Sequence, residues 1–232
     1  MVLLSVATIA WSIGIIAIST IYLHWQWYHY TRQSEGISKA YSFKSKTEKA
    51  KQTLFDRFVF YLIPAVCFLD MASNGHSLFL GAAVWMIPVS KATTFWLLSA
   101  SFVIFAIWFT KKTTQLMNKD ISIAYFSYLQ SHYLVYFIAY AYIDNINYGW
   151  LLINIWHNTQ YIAFVWLFNT NKFGNIIDEK KPLLFLARSK NAVLYLFACL
   201  ACSSVIYLGI SDIIKAFPPY MMLVVYQLLI FI

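Results

Sequence analysis

The stretch VLLSVATIAWSIGIIAISTIYLHWQWYHYTRQ, residues 2–33, is apolar for its first two thirds and then delivers two histidines, two glutamines and a crowd of tyrosines and tryptophans. About 18–20 apolar residues suffice to cross a hydrocarbon core of ~30 Å. A secretory signal would need a basic flank and a small-x-small cleavage site, and the run has neither, so it reads as a span over about 3–24. Its polar, aromatic tail then lies where the helix would be leaving the bilayer.

Similar runs recur along the chain. Of its 232 residues, 61% are hydrophobic and only 11% charged, against roughly a quarter charged in an ordinary soluble domain. Further complete spans are expected at about 54–70, 92–110, 121–143, 149–168 and 191–211, and a short one at 219–232. The expected fold class is therefore all-α: a polytopic transmembrane helix bundle of six complete spans plus a short or truncated seventh, forming a single integral membrane domain. The last segment, YMMLVVYQLLIFI after Pro218 and Pro219, would rise only ~21 Å as a helix. It reads as a span cut short. Residues 74–91, NGHSLFLGAAVWMIPVSK, are too short in their apolar part to span and are interrupted by Pro88, so 76–90 is expected to be a re-entrant or surface-lying hairpin. Pro64 should kink the second span unless a neighbour restores the hydrogen bond it removes.

The net charge of +8 reports orientation rather than nucleic-acid binding, because the basic residues are scattered over loops of an apolar chain. Seven Lys/Arg fall between Arg32 and Arg57, three between Lys111 and Lys119, and five between Lys172 and Lys190, leaving Lys91 and Lys215 elsewhere. The positive-inside rule then puts loops 32–53, 111–120 and 169–190 in the cytoplasm and the N-terminus outside, as in a bacterial inner membrane. The segment after Arg32 reads equally as an interfacial helix or as a solvated loop. Cys199 and Cys202 lie one turn apart in an apolar run and read as packing residues.

Chemistry, if the chain performs any, has to come from polar groups inside the apolar segments. His24, His29, His132 and His157 all lie between the expected bilayer centre and its cytoplasmic face, whereas His76 is outside. Asn154, His157 and Tyr161 follow i, i+3, i+7 on one helical face, widened by Asn158 and Gln160; Gln26, His29 and Gln33 repeat the pattern in the first segment. On a regular helix His24 is about 140° from His29. Imidazole is the commonest metal ligand, and its second nitrogen is usually oriented by an amide, carbonyl or carboxylate. The four histidines are thus candidate ligands, with Gln26, Gln33, Asn154, Asn158, Gln160 and Tyr161 as their supports or as substrate contacts. The alternative is interhelical hydrogen bonding alone, worth ~0.6–2 kcal/mol per group. Asp70, Asp120 and Asp144 read as interface residues, and no phosphate loop, nucleophile elbow, dinucleotide fingerprint or H-E-x-x-H motif is present.

The segments HWQWYHYTRQSEGISKAY and WHNTQYIAFVWLFNTNKFG resemble a family of largely uncharacterised bacterial polytopic membrane proteins with an H-x4-H-Y segment and a later W-H-N-x-Q-Y segment. Members of that family continue into a C-terminal His-His-Tyr segment that this chain lacks. More distantly, histidines from separated helices of a membrane bundle resemble the bacteriorhodopsin-related β-carotene dioxygenases, which hold one iron by four histidines. The resemblance implies a membrane-embedded, metal-dependent oxidoreductase, a non-haem iron oxygenase acting on a lipid or isoprenoid; imidazole ligands admit zinc or copper as well. A reading from another class is a non-enzymatic transporter or assembly factor that uses the polar stripe. The expected partners are the lipid bilayer and an apolar small molecule, with no nucleic acid; the sequence leaves the oligomeric state open.

Overall fold

The computed structural model describes residues 14–45, 50–173 and 185–215. The expected seventh span, 219–232, lies outside the described residues, as do the start of the first span and parts of the 32–53 and 169–190 loops. Two compact units form, one ending at Asn154 and one beginning at Ile155.

The larger unit is an up-and-down helical bundle. Its elements are α1 (Ile15–Lys44), α2 (Leu54–Ala72), a two-residue hairpin β1 (Leu78–Phe79) and β2 (Ala82–Ala83), α3 (Lys91–Met117), α4 (Ile123–Tyr136) and the opening turns of α5 (Ile146–Phe173). The rest of α5, a 3-10 turn at Ser189–Asn191 and α6 (Ala192–Lys215) belong to the second unit.

Local sequence sets the helix starts. Thr53 and Asp56 form a reciprocal capping box at α2, and Ser90 and Ser122 accept backbone N–H groups from Thr93 and Tyr125 at the starts of α3 and α4. Hydrogen bonds between elements then fix the alternation. At one end of the unit, Ser45 after α1 meets Ser122 before α4, and Asp56 on α2 meets Trp108, Lys111 and Lys112 on α3. At the other end, Ser73 after α2 meets Thr94 on α3, and the hairpin segment is tied to α1 by Trp85 N–H on Thr20 Oγ1 (2.9 Å) and to α5 by Leu80 N–H on Asn147 Oδ1 (2.8 Å).

Between those ends the core is aromatic: Phe60, Phe68, Phe79, Trp108, Tyr125, Tyr136 and Tyr140 are all fully buried. After α4 the backbone widens into a π-helical turn, Phe137–Tyr142. Its Ala139 carbonyl packs on Gly149 of α5 so closely that a Cβ there would overlap the oxygen.

The expectation of six or seven spans is corrected. Among the described residues one helix, α3, is long and apolar enough to cross a membrane. α2 has only 19 residues and carries Asp56, Arg57 and Asp70. α4 is regular for 14 residues before the π turn replaces the α pattern, and the apolar stretch Ser189–Val205, which joins the 3-10 turn to the start of α6, is short. In α1 and α5 the amides, imidazoles and charges dilute the apolar residues along the helix. Runs of aliphatic and aromatic letters overstate hydropathy when the letters between them are polar. By contrast α3 keeps Phe95, Trp96, Val103 and Ile107 exposed outside the bundle, an apolar surface of the kind that lipid covers.

α1 also differs from expectation, since it continues unbroken through Arg32 to Lys44. The first part of the expected cytoplasmic segment is helix packed against α2 and α4. Within the 76–90 segment a hairpin at one end of the bundle pairs Leu78–Phe79 with Ala82–Ala83, with Leu80 (φ 50°) and Gly81 (φ 80°) as its two central residues, the conformation of a tight two-residue turn.

Candidate functional site

α1 presents a buried polar edge, flanked by Gln26 and Glu35, on which Thr31 and Ser34 meet α4 and Ser38 accepts from Gln52. The spacing of 31, 34 and 38 keeps one helical face, and Ser42 extends it. Thr31 Oγ1 donates to Tyr136 OH at 3.0 Å, and Ser34 Oγ lies 2.8 Å from Tyr128 OH and 3.1 Å from His132 Nδ1. One turn above, the Gln26 amide donates to Tyr22 and Tyr30, and Tyr30 OH reaches Asn154 Oδ1 at 3.3 Å.

His132 is fully buried, with its ring stacked on Phe60 at 3.8 Å between centroids. Its Nε2 sits 3.3 Å from the Phe60 carbonyl oxygen. A carbonyl can only accept, so Nε2 carries the proton and Nδ1 accepts from Ser34. Phe60 is four residues before Pro64, the residue that would have bonded that carbonyl had it an N–H. His132 therefore supplies from α4 the hydrogen bond that Pro64 withholds within α2. Both of its nitrogens are engaged.

The remaining candidates are dispersed. His24 Nδ1 donates to the Thr20 carbonyl at 2.8 Å, and its ring meets the edge of Phe68. It lies ten residues from Ser34 along α1, about 15 Å at the α-helical rise, so His24 and His132 stand at different heights. His29 is exposed while Gln26 is 3% exposed, and Gln33 is half-buried. The expected common inward face of Gln26, His29 and Gln33 is replaced by the hydroxyl edge. In the second unit His157 is buried, Gln160 half-buried, and Asn158 and Tyr161 exposed. No group of three or more His, Cys, Asp or Glu comes together as a metal centre among the described residues.

What the larger unit does assemble is an apolar cavity of about 310 Å³ between α2, α3 and α4. Ile63, Cys67, Leu98, Phe102, Phe105 and Leu134 supply most of its wall, together with Ser101, Phe137, Gln130 and Tyr133. The Tyr133 hydroxyl and Gln130 Nε2 are buried without a hydrogen-bond partner. Buried polar groups are nearly always paired, and each orphan costs about 1–3 kcal/mol. The wall was readable as periodicity: Leu98, Ser101, Phe102 and Phe105 on α3, and Gln130, Tyr133 and Leu134 on α4 with Phe137 opening the π turn, each follow i, i+3, i+4, i+7.

Two ionic centres lie toward the end of the unit that carries Ser45 and Ser122. Asp56 accepts from Trp108 Nε1 (3.1 Å) and pairs with Lys112 (3.1 Å), which is itself fully buried. Glu35, 0% exposed, is ringed by Lys39 (2.7 Å), Arg32 (2.8 Å), Arg57 (3.2 Å) and the Tyr61 hydroxyl (2.6 Å). Burial pushes the Glu35 pKa up, but the bonds from Lys39, Tyr61 and Arg32 outweigh it and hold the carboxyl below the usual glutamate range. Sequence reasoning passed over this ring because Arg32, Glu35 and Lys39 fell in a stretch read partly as loop.

No family model, curated protein or solved structure matches the chain.

Proposed function

We propose that this is a membrane protein that receives a largely apolar molecule with one polar group, a lipid or an isoprenoid, in the cavity between α2, α3 and α4. The observation that carries this reading is the coexistence of hydrocarbon walls with two buried, partnerless hydrogen-bonding groups, Gln130 Nε2 and the Tyr133 hydroxyl. Pockets that bind small molecules combine apolar lining with a few fixed polar groups in this way. A ligand hydroxyl, carbonyl or ester oxygen would accept from both donors while its chain displaces poorly held water.

The experiment is mass spectrometry of lipids retained by protein purified in mild detergent. Wild type should retain one class of apolar molecule in near-stoichiometric amount, and Ser101→Phe, which projects into the cavity, should lose it. Equal retention by both proteins overturns the proposal.

The orientation follows from charge. Lys111 and Lys112 on α3 meet Asp56, next to Arg57, so the basic ends of α1, α2 and α3 share one end of the unit, while Lys91 begins α3 at the other. The positive-inside rule assigns that basic end to the cytoplasm. Labelling of single cysteines at Ser45 and Ser77 in intact cells tests it: Ser77→Cys should react and Ser45→Cys should not.

A second reading adds oxidation of the same ligand class by a non-haem iron, with His157 as the lead ligand; its support is that His157 is buried on a helix that also carries Asn154, Asn158 and Gln160. His132 does not fit the ligand set, because Ser34 and Phe60 occupy both of its nitrogens. Elemental analysis of purified protein for iron, zinc and copper, with His157→Ala beside wild type, tests this reading. Equal metal content in the two proteins removes it and leaves non-enzymatic handling of the ligand.

A further inference from the structure

On the opposite face of α2 from the cavity, a groove of about 400 Å³ is lined by Leu54, Phe58, Leu62 and Ala65, with Trp27 of α1 across from them. Its remaining lining residues, Arg57 and Tyr61, are also members of the ring around Glu35. The apolar trough therefore opens directly beside the cations. Three of these, Arg32, Lys39 and Arg57, face one carboxylate, which leaves two positive charges in excess. The carboxylate is sealed while each cation is about half exposed, at 53%, 51% and 53%. Glu35 thus acts as an internal clip that gathers cations whose outer surfaces remain available. Arg57 spends its Nε on Glu35, and its two terminal amino groups can form the fork that suits a phosphate.

We infer that this joint surface is a binding site for an anionic phospholipid, with its phosphate on Arg32, Lys39 and Arg57 and one acyl chain along α2 from Phe58 to Ala65. The argument is charge complementarity joined to shape. A soluble phosphate would have no use for the trough, which runs ~12 Å along α2 from Arg57 to Ala65 at the helical rise, and a zwitterionic lipid would leave the excess charge unanswered. The site shares no lining residue with the cavity proposed above and stands or falls independently of it.

Trp27 supplies the reporter. Full-length protein in lipid-free detergent is titrated with phosphatidylglycerol or phosphatidylcholine bearing brominated acyl chains, and the quenching of Trp27 is isolated by subtracting a Trp27→Phe variant. About 1 kcal/mol per basic side chain, or fivefold in affinity, makes phosphatidylglycerol quench at a concentration on the order of thirtyfold lower for the two excess charges. Arg32→Gln/Arg57→Gln should bring the two lipids together while the phosphatidylcholine response stays unchanged. Lys39→Gln, which leaves both guanidinium groups on Glu35, should lower the selectivity about fivefold and serves if the double variant does not fold. Ala65→Phe, filling the trough, should weaken quenching by both lipids. Equal quenching by the two lipids in wild type, or selectivity unchanged in the charge variants, overturns the inference. Full suppression of quenching by millimolar inorganic phosphate would reassign the ring to a free anion, and persistence of quenching in phosphate supports the lipid.

Discussion

Replacing His132 by leucine should destabilise the protein to an extent that depends on residue 64. The imidazole is fully buried, donates from Nε2 to the Phe60 carbonyl at 3.3 Å and accepts from Ser34 at 3.1 Å. Leucine removes both bonds. Ser34 keeps Tyr128 at 2.8 Å, but the Phe60 carbonyl loses the donor that stands in for the absent N–H of Pro64. One orphaned buried carbonyl costs about 1–3 kcal/mol, and at about 2–4 °C per kcal/mol for a chain of this size the thermal midpoint should fall by roughly 2–12 °C. With Pro64→Ala in place, residue 64 supplies the ordinary intrahelical bond and His132→Leu should become milder. The double-mutant cycle should show a coupling of about 1–2 kcal/mol, within the range for residues that share a partner. Thermal unfolding in detergent, followed by aromatic fluorescence, measures all four corners. Additive effects of the two substitutions would refute the assignment, and a metal-ligand role for His132 gives no reason for position 64 to matter.

Three further outcomes test the surrounding structure. Asp56→Asn should cost about 3–5 kcal/mol by leaving the fully buried Lys112 without its counter-charge, and Asp56→Asn/Lys112→Met should recover most of that in the same unfolding assay. Gly149→Ala should destabilise by about 1–3 kcal/mol, because its Cβ meets the Ala139 carbonyl, part of the backbone, rather than a side chain that can turn away; a neutral effect would mean that the contact is not made. Glu35 has a lowered pKa in the folded state, so its contribution is complete above its unfolded value of about 4.3 and disappears as pH falls through the folded value below that. Thermal midpoints of wild type should therefore drop below about pH 4.3 relative to those of Glu35→Gln, and parallel profiles would contradict the linkage.

The sequence made some of these relations visible and hid others for identifiable reasons. α3 was legible because its apolar residues run nearly unbroken, and a hairpin within 76–90 because its apolar part is short and is interrupted by Pro88. Pro64 and His132 each stood out alone, yet only the three-dimensional pairing of α2 with α4 joins them through the Phe60 carbonyl, a backbone atom that no residue type advertises. The α1 face was misjudged because the 100° arithmetic was anchored on His29, whereas the smaller hydroxyls of Thr31 and Ser34 face α4 and leave His29 exposed. Counting apolar runs gave too many spans because it set Asp56, Arg57 and Asp70 in α2 and the amides of α5 aside as end or site residues and gave them no weight against the apolar letters between them. The Glu35 ring draws Arg57 from another helix, so local spacing could reveal only its Arg32, Glu35 and Lys39 portion.

The hydroxyl edge along α1 also determines how its pairing with α4 responds to temperature. Apolar surface exposed on unfolding raises the heat capacity, whereas polar surface lowers it. A seam built on Thr31 with Tyr136 and Ser34 with Tyr128 and His132 subtracts from the heat-capacity change that the aromatic core contributes. Pairing held by such bonds does not depend on a driving force that fades as water cools. Chilling should accordingly loosen the aromatic packing around Phe68 and Tyr140 before it loosens α1 from α4, so that a polar interior seam resists cold better than the aromatic core beside it.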